Sequence, residues 1–332
     1  MCIRDSYLPG GSSSGSGVAV AAGLVPAALG TDTGGSVRIP AALCGITGLK
    51  TTVGQVSRAG VHPLSWSLDS VGPLTRTVED AALLYEVMRG PDAADETTRG
   101  SPFQDGLTGR GLGARGLRIG VAETVFWEGA HPEVATAVRE ASGVFESLGA
   151  RVASVELPAA ADALDLNRRG LVIAAEAYTV NRHLVDEHFD ELDPVVSWRM
   201  VQGRDVPAAD YLQTTLDWRR LRREAVQQLR DVDALLCPTT AIPACPLAEV
   251  DGDMDAYQGR NLQYLRNTAI GNILDLCGLS VPCGFTGEGL PIGLMIYGRP
   301  FEEGTVLRVG QAFQEATDWH RRRPDLEWIT SA

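Results

Sequence analysis

The sequence predicts an α/β fold, a sheet with helices packed on it, and three stretches carry that prediction. First, Leu117 to Val121 and Arg151 to Leu157 read as strands flanking a helix. That helix opens with Pro132 and repeats Val134, Val138, Ala141, Phe145 and Leu148 at helical spacing. A β-α-β unit of this length belongs in a sheet with the helix on its face. Second, Asp233 to Pro238 is a short apolar strand that follows a mainly helical region, Leu164 to Leu229. Third, Leu279 to Gly284 and Leu290 to Tyr297 are strands around a turn at Phe285 to Gly289. A helix lined by Val306, Val309, Phe313 and Ala316 follows, its start marked by Glu302 and Glu303.

The first ninety residues are organised around two small-residue loops. Met1 to Ser6 shows no periodicity and no cap, and leads directly into Pro9-Gly-Gly-Ser12-Ser13-Ser14-Gly-Ser16-Gly. Gly17 to Leu24 suits a tightly buried helix closed by Gly23 and Pro26. After the apolar run Ala27 to Gly30 comes the second loop, Thr31-Asp32-Thr33-Gly34-Gly35-Ser36, placed so that the two loops meet in space. Thr77-x-x-Asp80 resembles a capping box, with Val78, Ala81, Ala82, Tyr85 and Met88 on one face of a helix ending near Gly90. Pro91 to Gly116, rich in Gly, Asp and Thr, reads as a long surface connection.

Composition narrows the function. The 332 residues are 44% hydrophobic and 21% charged, the balance of a folding chain. A formal charge of −13 repels phosphate backbones and argues against nucleic acid as a partner, so the Arg219–Arg223 and Arg321–Arg323 runs read as solvated helix faces. Cys2, Cys44, Cys237, Cys245, Cys277 and Cys283 show no C-x-x-C spacing, and no His sits in a zinc motif. No metal site and no cofactor are therefore expected. Cysteines in apolar stretches read as buried thiols of a reducing compartment, which makes the cytoplasm the expected location. The apolar run Val18 to Leu29 is too short to span a bilayer. The basic residues are 28 arginines and one lysine, Lys50.

Acyl transfer needs a nucleophile, a group to take its proton, and donors aimed at the developing oxyanion. Consecutive glycines at 34 and 35 let backbone N–H groups converge beside Ser36, with no Cβ in the way of a carbonyl. Taken alone, the same loop also reads as a tight turn with a capping serine. The first loop lacks the lysine of a phosphate-binding loop. It matches the Gly-x-Ser-x-Gly of a nucleophile elbow only formally, since no strand precedes it.

The run from Pro9 to Gly17 and the run Ala28-Leu-Gly-Thr-Asp32-Thr-Gly-Gly-Ser36-Val-Arg38-Ile-Pro-Ala-Ala-Leu-Cys44-Gly-Ile-Thr-Gly-Leu-Lys50-Thr together resemble the signature block of the amidase signature family. The resemblance continues through Ser67-Leu-Asp69-Ser-Val-Gly-Pro73, Arg76-Thr-Val-Glu-Asp80, Asp233 to Thr239, Val281 to Gly284 and Gly289 to Gly293. It departs at Ser14, where glycine is usual, and at Thr51, where proline is usual.

The resemblance implies an amidase signature fold, a mixed sheet surrounded by helices. It implies amide hydrolysis by a Ser, cis-Ser, Lys triad, with Ser36 as nucleophile, Ser12 bridging after a cis peptide bond, and an oxyanion hole from Thr33, Gly34, Gly35 and Ser36. Asp32 and Arg38 fall at positions that orient the loop, with catalytic and purely structural roles both open, and Ser13 falls beside the bridging serine. The family's lysine lies well before the bridging serine, and Lys50 matches a separate, structural position. The expectation is therefore an amidase domain over residues 7–332 without its N-terminal portion, preceded by an unrelated leader at 1–6, and inactive for want of its base. Exposed apolar surface then favours self-association, a homodimer included. The implied partner is a small-molecule amide. Two other readings stand beside it: the A subunit of a tRNA-dependent amidotransferase, and a non-catalytic fragment. The segment His62-Pro-Leu-Ser-Trp66-Ser replaces the small Ala/Ser-rich stretch usual in the amidotransferase protein, which favours a stand-alone amidase. His62 and Trp66 read either as a pocket border or as a buried packing pair, and His183, His188 and His320 as surface residues.

Overall fold

A computed structural model of the chain describes residues 6–326. Cys2 and the first five residues of the expected leader lie outside the described residues. Ser6, also placed in that leader, accepts a 2.7 Å hydrogen bond from the Leu247 amide.

The elements in chain order are α1 (Ser14–Ala21), β1 (Ala27–Asp32), α2 (Arg38–Cys44), β2 (Thr47–Lys50), β3 (Ser70–Thr75) and α3 (Val78–Met88). The β4 (Arg118–Ala122), α4 (Pro132–Ser147) and β5 (Arg151–Val155) unit follows. Then come α5 (Pro158–Asn167), α6 (Leu171–Val180), α7 (Arg182–Glu187), α8 (Pro194–Val201) and α9 (Ala208–Gln228). The chain closes with β6 (Ala234–Pro238), α10 (Met254–Ile273), β7 (Cys277–Phe285), β8 (Pro291–Gly298) and α11 (Glu303–Ala316). The strands form one mixed sheet in the order β1-β3-β2-β7-β8-β6-β4-β5. β4 runs parallel to β5 and β6, and the remaining pairs are antiparallel.

Alternation along the central strands gives the sheet two buried faces. Ile292, Leu294 and Ile296 of β8, with Ala234 and Leu236 of β6, join one core cluster that includes Val138, Phe145, Val309 and Phe313. Met295, Tyr297, Leu235 and Cys237 join a second cluster, with Trp218, Leu221 and Ile270. Successive strand residues point to opposite faces, so an unbroken apolar run is what a strand covered on both sides requires. Local chemistry sets the helix starts: the Thr77 hydroxyl accepts from the Asp80 amide ahead of α3, and Pro132 occupies the first turn of α4.

Two expectations change. The helix expected over Gly17 to Leu24 starts earlier, at Ser14, and is buried on one side only. That side, with Val20 and Ala21, packs on Val37, Ala41 and Cys44, while Leu24 beyond its end is 75% exposed. His62 and Trp66 are not a buried pair: both are exposed, Trp66 by 63%, with the indole stacked against the Arg58 guanidinium. The loop that carries them is held by polar groups at Ser65, Ser67 and Asp69, and of its apolar side chains Leu68 is buried while Leu64 and Trp66 are exposed.

Candidate active site

The second loop is the turn between β1 and α2, and a buried ion pair fixes its base. Asp32 ends β1 and Arg38 begins α2, and both are fully enclosed. Arg38 donates from Nε and Nη2 to the two Asp32 oxygens at 3.0 and 2.9 Å, from Nη2 to Asn272 Oδ1 at 2.7 Å and from Nη1 to the Tyr297 hydroxyl at 2.9 Å. Burial alone would raise the Asp32 carboxyl, but the Arg38 charge and its hydrogen bonds outweigh it and hold the group at about 2. Asp32 Oδ2 also accepts the Val37 amide of the loop at 3.2 Å, and its main-chain carbonyl accepts Ser70 Oγ of β3 at 3.0 Å. In this structure Asp32 and Arg38 therefore brace the turn from below.

Helix α10 braces it from the side. Thr268 Oγ1 donates to the Gly34 carbonyl at 2.7 Å, and one helical turn on Asn272 Nδ2 donates to Asp32 Oδ1 at 2.9 Å. Gly35 has φ +140°, and the Thr268 side chain fills the space a Cβ there would need, so only glycine fits on both counts. The Thr33 hydroxyl points away from the turn, donating to Asp69 Oδ1.

Ser36 is half-buried at the end of this turn. Among the described residues, no acceptor takes the N–H groups of Gly34, Gly35 or Ser36, whereas the next amides are engaged, Val37 by Asp32 and Ile39 by the Gly35 carbonyl. Unpaired N–H groups on successive peptides beside a hydroxyl are what stabilisation of a developing anion requires.

The first loop docks onto the same turn. The Ser13 amide donates to the Ser36 carbonyl at 3.2 Å, and Ser13 Oγ and Ser16 Oγ donate to the carbonyls of Thr31 and Leu29 on β1. Those carbonyls lie on the outer edge of β1. β1 is the terminal strand of the sheet, so these outward carbonyls have no strand partner, and the serines at the start of α1 satisfy them. The Gly11–Ser12 peptide is cis, and Ser12 is exposed. The structure thus joins the backbones of the two loops through Ser13. Among the described residues neither Ser12 Oγ nor Ser36 Oγ makes a hydrogen bond. Lys50 is fully buried on β2, where its charge helps to lower the Asp32 carboxyl. Its ammonium donates to the Thr51 carbonyl at 2.9 Å, and burial lowers its pKa.

A sequence model of the Amidase family matches residues 3–307. The chain belongs to the amidase signature family. Among its relatives, the A subunit of the glutamyl-tRNA(Gln) amidotransferase of Roseiflexus sp. (strain RS-1) is 42% identical across 96% of this chain and 69% of that protein. An amidase of Pseudomonas putida is 41% identical across 92% of this chain and 66% of that protein. The crystal structure of the corresponding glutamyl-tRNA(Gln) amidotransferase protein of Thermotoga maritima superposes with TM-score 0.78 at 33% identity, over 93% of this chain and 66% of that one. The mixed sheet with surrounding helices is the fold of these amidase signature structures, and this chain spans about two thirds of their length.

Four residues that hold the site carry no role in the sequence reading: Thr268, Asn272, Tyr297 and Asp69. Asp69 lies within the Ser67-Leu-Asp69 motif, which signals importance without showing its partner Thr33. Thr268 and Asn272 leave a fainter signal, polar residues spaced four apart near the end of α10, on the side of the helix that meets Asp32 and Gly34.

Proposed function

We propose that the protein hydrolyses a linear amide through an acyl-enzyme on Ser36. Ser36 Oγ attacks the amide carbonyl carbon and its proton leaves by way of Ser12. The oxyanion is stabilised by N–H groups of the Thr33–Ser36 turn, those of Gly34, Gly35 and Ser36 above all. Collapse of the tetrahedral species breaks the C–N bond and the amine departs with a proton. Water then repeats the attack, giving the carboxylic acid and restoring Ser36. The observation that carries this reading is the row of unpaired N–H groups beside a half-buried serine in a turn braced on three sides.

The general base is the member these residues do not supply. Arginine stays protonated, and Lys50 is enclosed with its ammonium on Thr51. In this proposal the 332 residues alone hydrolyse amides slowly, since loss of one member of a cooperating triad costs on the order of 10⁴ to 10⁶ in rate. The test is hydrolysis of simple aliphatic and aromatic amides by the chain, with and without a small primary amine that acts as external base. Stimulation by the amine that is lost in Ser36→Ala supports the reading. Rapid unaided turnover would sink the claim that the base is missing.

A second reading, the A subunit of a tRNA-dependent amidotransferase, is favoured by what the Roseiflexus and Thermotoga relatives are. The Pseudomonas amidase and the His62–Trp66 segment favour the stand-alone enzyme. Strict dependence on glutamine and on added partner proteins would select the amidotransferase reading.

A further inference from the structure

Two buried carboxylates that form no ion pair among the described residues converge on one short loop beside the nucleophile turn. Asp69, 7% exposed, takes the Thr33 hydroxyl on one oxygen and the amides of Leu64 and Ser65 on the other, at 2.8 and 2.9 Å. Glu176 of α6, 5% exposed, takes the Ser65 hydroxyl, the Ser67 amide at 3.0 Å and the Ser67 hydroxyl at 3.1 Å on one oxygen, and the Tyr211 hydroxyl of α9 at 2.8 Å on the other. Ser65 is therefore gripped from both sides, its amide by Asp69 and its hydroxyl by Glu176. A second tie joins the same helix to the loop: Asn181, just past α6, donates to the Pro63 carbonyl at 3.2 Å, and its Oδ1 lies 2.7 Å from His62 Nε2.

We propose that Glu176 is a positioning residue for Ser36 chemistry, acting through Ser65, Asp69 and Thr33. Enclosing a carboxylate with no ion pair is costly unless several donors compensate it. Here two such groups are committed to fixing six residues, 64 to 69, and the far end of the chain of bonds is the first residue of the turn. The links run Tyr211, Glu176, Ser65, Asp69, Thr33, each within hydrogen-bond distance and each nearly buried except at the Tyr211 end. A shift of α6 or α9 is thereby passed to Thr33, and with it to the peptides that follow. A displacement of about 1 Å at donors facing a reacting carbonyl can cost on the order of a hundredfold in rate, without touching the substrate's binding contacts.

This inference rests on the acyl-enzyme reading for its rate effects, but its geometry can be tested without turnover. The first measurement is amide hydrogen exchange at Val37 and Ile39, whose bonds to Asp32 and Gly35 close the turn. Exchange there is expected to quicken at least about tenfold in Glu176→Ala and in Thr33→Val, and to stay near wild type in Glu176→Gln and Thr33→Ser, which keep an acceptor or donor in place. The second is the rate of Ser36 phosphonylation by a fluorophosphonate with added amine. Its limiting rate constant should fall about tenfold in the same two variants with the half-saturating concentration unchanged, and the double variant should be no slower than either single one. If Glu176→Ala does not fold, Ser65→Ala cuts the same link. Faster exchange confined to residues 61–68, or additive effects in the double variant, would overturn the relay. Exchange effects as expected, with no phosphonylation of the wild type, would leave the relay standing and refute the acyl-enzyme.

Discussion

The hydroxyl of Thr268 donates a 2.7 Å hydrogen bond to the carbonyl of Gly34, and the same side chain occupies the volume beside Gly35. One residue of α10 thus orients one peptide of the turn and excludes any side chain from the next. Thr268→Val keeps the shape and removes the donor, so it should slow acylation of Ser36 about tenfold, while Thr268→Ser should remain near wild type. Gly35→Ala meets both the positive φ and the Thr268 side chain, and should cost about 2–3 kcal/mol of stability. Stopped-flow phosphonylation and urea denaturation check the two.

The Asp32–Arg38 pair makes the base of the turn sensitive to acid. Asp32 is depressed to about 2 from an ordinary 3.8, so the folded form releases its proton more readily than the unfolded chain. Its stabilisation is fully present above 3.8, and is lost as pH falls from 3.8 through about 2. It amounts to an order of 2 kcal/mol. Arg38→Met leaves Asp32 buried and unpaired and should destabilise by about 3–5 kcal/mol at neutral pH, a loss that shrinks as Asp32 takes up a proton. Urea midpoints from pH 2 to 7 for both proteins measure this.

A second buried carboxylate behaves in the opposite sense. Glu303, at the start of α11, accepts the Thr52 amide at 2.7 Å on one oxygen, and its other oxygen has no partner among the described residues. Burial raises its pKa above the ordinary 4.5, with hydrogen bonds from Thr52 and the nearby Lys50 charge opposing. Because the folded form holds this proton longer, its contribution is fully present below 4.5 and lost as pH rises through the folded value. Glu303→Gln should therefore gain stability relative to wild type as pH rises above 4.5. Thermal midpoints that differ by a constant amount from pH 4 to 8 would contradict this.

How much of this was legible in the sequence follows from what each segment packs against. The β4-α4-β5 unit and the β7–β8 hairpin are clear because their buried faces are apolar and their boundaries carry Pro132, Gly149 and the Thr286–Gly289 turn. β2 and β3 left no comparable pattern: Thr47–Lys50 has four residues, and Ser70–Thr75 contains Gly72 and Pro73. α10 was missed for a different reason. Its buried end presents Thr268 and Asn272 to the turn and Asn267 to the Phe126 and Pro238 carbonyls, and these polar residues break the apolar period that would announce a helix. The positions of Ser12 and Ser36 followed from the resemblance. Asp69, Glu176 and Thr268 act through contacts between segments far apart in the chain, and no local pattern reports those.

The measurement that bears most directly on the proposed chemistry is mass mapping of the protein after reaction with a fluorophosphonate in the presence of a small primary amine. One adduct is expected, on Ser36, formed more slowly in Ser12→Ala and absent in Ser36→Ala. An adduct that persists undiminished in Ser36→Ala, or a wild-type protein with no adduct on Ser36 despite the added amine, would contradict it.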